Sequence, residues 1–439
     1  MKGIGIAAAL VAISASVGGG TAGAGEDPLP PPVQVRPEPE GVTLGDPSFE
    51  PLRGARADFG RLAGSVYQIE MPARWNGRLV VFMHGYGELL PVADVAPPDI
   101  RRYLIGRGFA WGASSFSSTS LIPGRAADET AALWDLFARR YGRPRRTYVT
   151  GESMGGLATH IAAERYGSRF DGALANCGAA GIGSALSITT DFFATAAFVA
   201  GVTQREYDRS TGVRALIRDR IRPALRRPRV HRRFQDIMVA LTGGPRAFAR
   251  TGILIEEEPN WERTALSVPT GLGRNRGIVY RLGPPSPVGS RAFNRAVIRL
   301  RTNRPFRREF TAGSETSGAL EMPLLTLHTT GDGQEPIEEA RLLRRRVDRA
   351  RHGRLLAQRV LRDPGHCGFT GPEQQAAFRA LVRWVERGVR PRGHDVRVPR
   401  WGDLRRRFEL NPRPGTPEAD AVRGARRRVM LHGRLTLDG

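Results

Sequence analysis

Gly151-Glu152-Ser153-Met154-Gly155-Gly156 follows the strand-like Thr147-Tyr148-Val149-Thr150 and leads into the helix-like run Leu157 to Tyr166. A strand, a tight G-x-S-x-G turn and a helix make a nucleophile elbow. Glycines two before and two after the serine let neighbouring backbone pack against a turn in which the serine itself is strained. That geometry lifts Ser153 Oγ clear of the sheet. In a chain with 53 glycines the hexapeptide alone is a weak signal, so its surroundings decide.

Upstream, Ser65 to Glu70 alternates like a strand, and the continuous apolar run Leu79-Val80-Val81-Phe82-Met83 reads as a buried central strand ending in His84-Gly85-Tyr86-Gly87. A helical piece from Pro98 to Arg107, a strand at Phe109 to Ser114 and a serine-rich loop, Ser115 to Ser120, follow. The spacing then predicts an amphipathic helix from Ala126 to Tyr141, with Leu133, Leu136, Phe137 and Tyr141 on one side and Gly142 and Pro144 as its stop. After the elbow helix, Phe170 to Cys177 reads as another strand. Strands and helices alternating in this way imply right-handed crossovers and a mainly parallel sheet with helices on both faces.

The rhythm breaks between Gly178 and Leu320. Helical stretches at Asp191 to Ala200, Thr211 to Ala224 and Phe234 to Leu241 alternate with glycine and proline breaks, and the segment is too long for a loop. It reads as an inserted helical cap. The sheet pattern resumes with a strand at Met322 to His328, a helix at Glu335 to Arg349 and a strand at Leu355 to Leu361. Thr370-Gly371-Pro372-Glu373 has capping-box spacing and opens a helix striped by Phe378, Leu381, Val382 and Val385.

The ends differ in character. Met1-Lys2, the apolar run Ile4 to Val17 and Thr21-Ala22-Gly23-Ala24 have the three regions of a secretory signal peptide cleaved after Ala24, with an uncleaved anchor as the alternative. The expected organisation is signal 1–24, a proline-rich, poorly ordered linker 25–45, core 46–180, cap 181–320, core 321–390 and a basic extension 391–439. No segment after the signal reads as long and uncharged enough to span a bilayer, so a secreted protein without stable membrane insertion is expected.

The formal net charge is +24, yet Lys2 is the only lysine. Such lopsided arginine usage points to compositional bias, and no nucleic-acid motif accompanies it. Specific nucleic-acid binding is therefore not expected. Clusters at Arg222 to Arg233, Arg341 to Arg354 and Arg426 to Arg428 leave room for a loose, salt-sensitive attraction to acidic polymers or anionic surfaces. An oxidising destination favours pairing the two cysteines, Cys177 and Cys367, although two cysteines alone prove nothing.

A serine hydroxyl needs a base, a group that orients the base and donors for the oxyanion. Thr329-Thr330-Gly331-Asp332-Gly333-Gln334-Glu335-Pro336 follows an apolar strand and places Asp332 at the carboxyl edge of the sheet, where a triad acid belongs. His366 lies after the next strand in Asp363-Pro364-Gly365-His366-Cys367-Gly368-Phe369, a loop able to fold back over the serine. The order Ser153, Asp332, His366 suits a strand-turn-helix nucleophile. The N–H of Met154 is one expected oxyanion donor, and the His84 to Gly87 turn supplies the other through Tyr86. Neither a histidine cluster nor a phosphate-binding glycine loop is present, so no metal and no organic cofactor are expected.

With the elbow, the H-G-x-G turn, the G-D-x-x-x-P loop and the G-H-C-G-F loop in this order, the chain resembles the α/β-hydrolase superfamily over roughly residues 60–180 and 320–388. Within it, the likeness runs to secreted esterases and to prolyl-oligopeptidase-like hydrolases. The His366-Cys367 pair is also similar to tannase and feruloyl-esterase enzymes, in which that cysteine bonds to one beside the nucleophile. Here Glu152 stands before Ser153, which rules that pairing out and leaves Cys177 as the partner. A Cys177–Cys367 disulfide would pin the histidine loop to the sheet edge.

The resemblance implies a secreted serine hydrolase acting on a small-molecule or polymer carboxylic ester through an acyl-enzyme. A peptidase on the same fold is the alternative, and a catalytically silent binding protein on a hydrolase scaffold is the second. Among rival residues, Asp191 is the other candidate acid. His328 reads as a core or neighbouring histidine, His160 as structural, and His352 and His394 lack a motif. Glu335 reads as the opening of a helix and Glu152 as a buried neighbour of the elbow. Ser115, Ser117 and Ser118 read as a polar loop with the option of lining an acyl pocket.

Overall fold

The computed structural model describes residues 28–35, 42–87, 92–210 and 212–397. The expected signal peptide, much of the linker and the extension beyond 397 lie outside the described residues. The chain divides into Met1–Pro31, described only from 28 onward, and Pro32–Gly439, which carries the fold that follows. Within the expected linker, Val33 donates its N–H to the Asp135 carboxylate at 2.8 Å, so the chain is tied to the core well before residue 45.

Eight strands form one sheet. They are β1 (Ala55–Leu62), β2 (Ser65–Pro72), β3 (Arg78–Met83), β4 (Ala110–Ser114), β5 (Arg146–Glu152), β6 (Gly172–Asn176), β7 (Leu324–Thr329) and β8 (Leu356–Leu361). Their order across the sheet is β8-β7-β6-β5-β3-β4-β2-β1. Strands β3 to β8 are mutually parallel, and β2 is the reversed strand of the sheet, pairing antiparallel with β1 and β4. Sequence reasoning missed β1, whose polar ARADFGRL offers little apolar periodicity and which forms only by pairing with β2 along its whole length.

Helices α1 (Arg101–Gly106), α2 (Pro123–Tyr141), α3 (Met154–Arg165), α4 (Ile182–Val199), α5 (Pro228–Leu241), α6 (Ala249–Ile255), α7 (Glu257–Ser267), α8 (Ser290–Ala296), α9 (Arg304–Thr311), α10 (Ile337–Arg349) and α11 (Gly371–Arg387) follow in chain order. Leu133 and Phe137 of α2, Leu157 and Ile161 of α3 and Leu343 and Val347 of α10 cover one sheet face. Leu104 of α1 and Phe378 and Leu381 of α11 cover the other. The capping box at Thr370 and Glu373 is formed, starting α11 where the spacing placed it.

Between β6 and β7 the chain folds around a separate core in which Phe192 stacks edge-on against Trp261 and Phe234 at 4.7 and 5.1 Å. Two expectations change here. The helix expected at Thr211 to Ala224 is interrupted by a π-turn at Ile217–Ile221. By length and composition α4 would also span a bilayer, contrary to the reading that no such segment follows the signal. Half of it is buried inside the protein, Phe192 and Phe193 among the residues that build the local core.

The chain leaves β3 for β4 on one side and then crosses to β5 on the other. Ligands in open parallel sheets gather at the carboxyl ends of strands where the order reverses in this way. The elbow and the His84 to Gly87 turn both lie there, with Met83 paired to Gly151.

Candidate active site

Ser153 joins β5 to α3 with φ 56° and ψ −118°, a positive-φ conformation that a residue with a side chain rarely adopts. Two glycines make the turn possible. A Cβ on Gly155 would stand 2.0 Å from the Met83 carbonyl oxygen, and one on Gly151 would stand 2.3 Å from that of Gly155. Leu157 N–H donates to Ser153 C=O at 3.0 Å, which closes the first turn of α3. Met154 therefore has its N–H at the positive end of a helix. The other side of the nucleophile is the His84 to Gly87 turn, where a Cβ on Gly85 would touch Ser153 Cβ at 3.4 Å.

The acid and the base arrive from the ends of β7 and β8. Asp332 is fully buried, and its Oδ1 accepts the N–H groups of Gln334 at 3.0 Å and Glu335 at 2.8 Å. Its Oδ2 lies 2.9 Å from His366 Nδ1, and His366 Nε2 lies 2.8 Å from Ser153 Oγ. The structure thus brings the three residues into one hydrogen-bonded line. In it Nδ1–H donates to the carboxylate and Nε2 accepts from the hydroxyl. The two loops are tied together: Thr329 Oγ1 donates to Gly365 C=O at 2.7 Å, and Gly331 N–H donates to Asp363 C=O at 2.8 Å.

Burial acts to lower the pKa of His366, but the charge and hydrogen bond of Asp332 outweigh it, with help from Glu256, and the net shift is upward. Glu256 was invisible to sequence reasoning. It sits between α6 and α7, its Oε2 accepts from Arg263 at 3.1 Å, and burial raises its own pKa. Arg263 also donates to the Gln334 side chain at 3.1 Å. The inserted segment braces the acid turn further, because Arg246 donates to Thr330 C=O at 2.6 Å and the backbone of α6 meets Gly331 at Gly252. No local motif announces these contacts, which join residues some 80 positions apart in the chain.

The other candidates are held elsewhere. Asp191 lies in the middle of α4 and accepts from Tyr280 Oη at 2.6 Å; burial pushes its pKa up to about 7. His328 shares a 2.5 Å hydrogen bond with Glu335 C=O, and His160 one of 2.8 Å with Ala179 C=O. His352 pairs with Leu320 C=O at 2.5 Å, and His394 accepts the Val360 N–H at 2.8 Å. Ser115 Oγ accepts from Val66 N–H and donates to Phe116 C=O, while Ser117 Oγ donates to Glu129, so these serines hold the loop together. Ser118 Oγ accepts from Ser120 N–H at 3.1 Å. Glu335 precedes α10 by two residues instead of opening it. Glu152, beside the nucleophile, accepts from Asn176 at 3.1 Å, and burial followed by the Asp99 charge pushes its pKa up to about 7.

Cys177 and Cys367 are joined, with Cα atoms 5.3 Å apart across 190 residues of sequence. Ser153 N–H points toward Cys177 Sγ at 3.4 Å, so the bridge runs directly behind the elbow and binds it to the residue after His366. Both sulfurs and His366 come close enough to suggest a metal site, but each sulfur is bonded to the other and both ring nitrogens are engaged by Ser153 and Asp332.

A cavity of about 420 Å³ opens onto Ser153. Tyr86, Met154, Leu157 and Leu121 line it from the core. Ile182 and Leu186 of α4, Leu266 of α7, and Phe306 and Phe310 of α9 line it from the insertion. Polar side chains in its lining include Asn260, Glu262 and Arg263 of α7 and Gln334 and Glu335 of the acid turn.

The parallel sheet flanked by helices, with a strained serine on the turn after β5 at the point where strand order reverses, is the architecture of the α/β-hydrolase fold. No family model matches the chain, and no curated protein does. Among solved structures it is similar to acylaminoacyl peptidase of Pyrococcus horikoshii at 10% identity, over 79% of this chain and 44% of that one, with a TM-score of 0.39. It is also similar to an esterase from Aspergillus oryzae (16% identity, 77% and 80% covered, TM-score 0.45) and to feruloyl esterase B from the same organism (15%, 75% and 80%, TM-score 0.41). The chain spans less than half the length of the peptidase structures it matches.

Proposed function

We propose that this is a secreted serine hydrolase that cleaves carboxylic esters through an acyl-enzyme. The observation that carries the reading is the Ser153–His366–Asp332 line, with hydrogen bonds of 2.8 and 2.9 Å, ending in a strained serine that faces an apolar cavity. In the first half-reaction Ser153 Oγ attacks the carbonyl carbon while its proton passes to His366 Nε2, and the N–H groups of Met154 and Tyr86 receive the oxyanion. His366 then gives that proton to the leaving alkoxide, which departs as the alcohol. Water, deprotonated by His366, repeats the attack on the acyl-enzyme, releases the acid and restores Ser153. Asp332 fixes the Nδ1–H tautomer and stabilises the imidazolium, with Glu256 adding negative charge nearby.

The predominantly apolar walls supplied by Leu121, Ile182, Leu186 and Phe310 favour an apolar acyl group. The Cys177–Cys367 bridge suits an oxidising, extracellular destination. Labelling with a fluorophosphonate probe tests the nucleophile: the wild type takes the label and Ser153→Ala does not. Equal labelling of both would reject Ser153, and no labelling of either would favour a silent scaffold. Nitrophenyl esters run beside peptide anilides then separate the esterase from a peptidase, with turnover of the esters expected.

A further inference from the structure

The inserted segment carries an outward face whose residues break two habits of soluble surfaces. Four large apolar side chains stand out on it: Val279 is 75% exposed, Ile278 and Leu266 are each 40% exposed, and Phe306 is 38% exposed. Leu266 and Phe306 also line the cavity that opens onto Ser153, so they mark its mouth. Ile278 and Val279 sit at a loop tip that is built to hold them out. Asn275 is buried beneath it, donating to Ile298 C=O and accepting from Leu300 N–H, each at 2.8 Å. Arg299 grips the carbonyls of Asn275 and Ile278 at 2.8 and 2.9 Å, and Gly277 turns the chain with φ +76°. These bonds fix the backbone under the tip and leave Ile278 and Val279 exposed.

The second habit concerns charge. Arg274, Arg276, Arg304 and Arg308 converge on one surface hollow, and Arg276 continues into a second with Arg281, Arg291 and Arg295. Among the described residues none of these seven makes an ion pair. The nearby acids do not balance them. Asp208 is shared with Arg301 at 3.7 Å, and Glu262 and Glu309 are two exposed carboxylates on α7 and α9. Arg304 and Arg308 stand one turn apart on α9, a like-charge spacing that weakens a helix unless something anionic offsets it. The same helix turns Phe306 and Phe310 to the cavity.

We propose that this face, from Leu266 through Ile278–Val279 to α9, docks the protein on an anionic lipid surface. The arginines would meet phosphate head groups while Val279, Ile278, Phe306 and Leu266 enter the acyl boundary, bringing the cavity mouth to the interface. Arginine with exposed aliphatic and aromatic side chains suits a charged surface that also has an apolar layer; a purely polar polyanion would have no use for the apolar tip. This is adsorption, not spanning, and it does not rest on the hydrolase reading, because binding alone measures it.

The test is flotation of the full chain with phosphatidylglycerol-rich vesicles and with pure phosphatidylcholine vesicles. Binding to the anionic vesicles is expected, falling as salt rises. Each arginine near such a surface contributes roughly fivefold in affinity, so Arg274→Ser/Arg276→Ser/Arg304→Ser should lose on the order of a hundredfold. Ile278→Ser/Val279→Ser should also bind more weakly. Arg354→Ser/Arg379→Ser/Arg383→Ser, exposed arginines away from this face, should change it far less, and all variants should retain the wild-type melting temperature. Absence of binding to anionic vesicles would overturn the proposal, as would equal losses in the two triple variants, which would mean net charge alone. A wild-type result for Ile278→Ser/Val279→Ser together with matching loss on heparin would reassign the face to polyanions and equally overturn it.

Discussion

Gly252→Ala separates the bracing of the acid turn from the acid itself. Gly252 lies in α6, remote in sequence from Asp332, yet a Cβ placed there would stand 1.4 Å from the Gly331 carbonyl oxygen, 2.6 Å from its carbon and 2.9 Å from Pro364 C=O. All three are backbone atoms, so no side chain can swing aside. Ordinary contact begins near 3.4 Å, and α6 or the acid turn must therefore retreat by about 2 Å. The turn carries Asp332 one residue after Gly331, and Pro364 is two residues from His366, so either movement loosens the pair. Overpacking of this kind costs about 1–3 kcal/mol. Spread over a folded unit of roughly 350 residues with an unfolding entropy of about 2.1 cal/mol/K per residue, that is a fall in Tm of at most about 4 °C. A misplacement of about 1 Å in a catalytic group can cost about a hundredfold in rate. The expected result is a drop in kcat/KM of at least about a hundredfold on a nitrophenyl ester, with Tm nearly kept. Gly106→Ala is the control, since its Cβ meets nothing within 4 Å. Wild-type kcat/KM in Gly252→Ala, or activity lost only in step with folded protein, would refute the reasoning.

Because His366 has a raised pKa and must be neutral to accept the Ser153 proton, the acid limb of kcat/KM against pH should lie above 6.5 and activity should fall as pH drops through it. Asp332→Asn should move that limb down and cut kcat by about ten-thousandfold, and an unmoved limb would dissociate Asp332 from the base. The sign for stability is opposite: the Asp332–His366⁺ attraction is fully present below pH 6.5 and is lost as pH rises through the folded value. Removing the bridge with Cys177→Ala/Cys367→Ala opens a loop of 190 residues, worth about 5 kcal/mol by loop entropy and about 7 °C in Tm. Calorimetry reads that loss, and a change under 2 °C would show that the bridge does not constrain the unfolded chain through loop entropy.

What could be read locally was read in the sequence. The elbow depends on contacts between adjacent turns: Gly151 and Gly155 meet backbone within a few residues or on the paired strand, and Thr370 and Glu373 cap their own helix. The strand-helix alternation likewise reflects apolar periodicity, so the parallel sheet and the order of Ser153, Asp332 and His366 are written in local pattern. Strand β1 escaped because its pattern is polar and its stability lies in its partner. Asp191 stayed a rival acid on paper because its position after β6 fits the chemistry; only the burial of α4 and the bond to Tyr280 remove it from the site.

The sequence by itself determined the class of turn that presents Ser153, the residues that could serve it and the cysteine left to pair with Cys367. Those choices rest on backbone conformation, periodicity and order, all of which act over short stretches. The tertiary structure decided the rest: that Asp332 is held by α6 at Gly252, that Glu256 adds its charge beside His366, and that Ile278 and Val279 stand out among arginines that make no ion pair among the described residues. Each depends on where separate stretches of chain meet, which is set by packing across tens to hundreds of residues and leaves no local pattern to read.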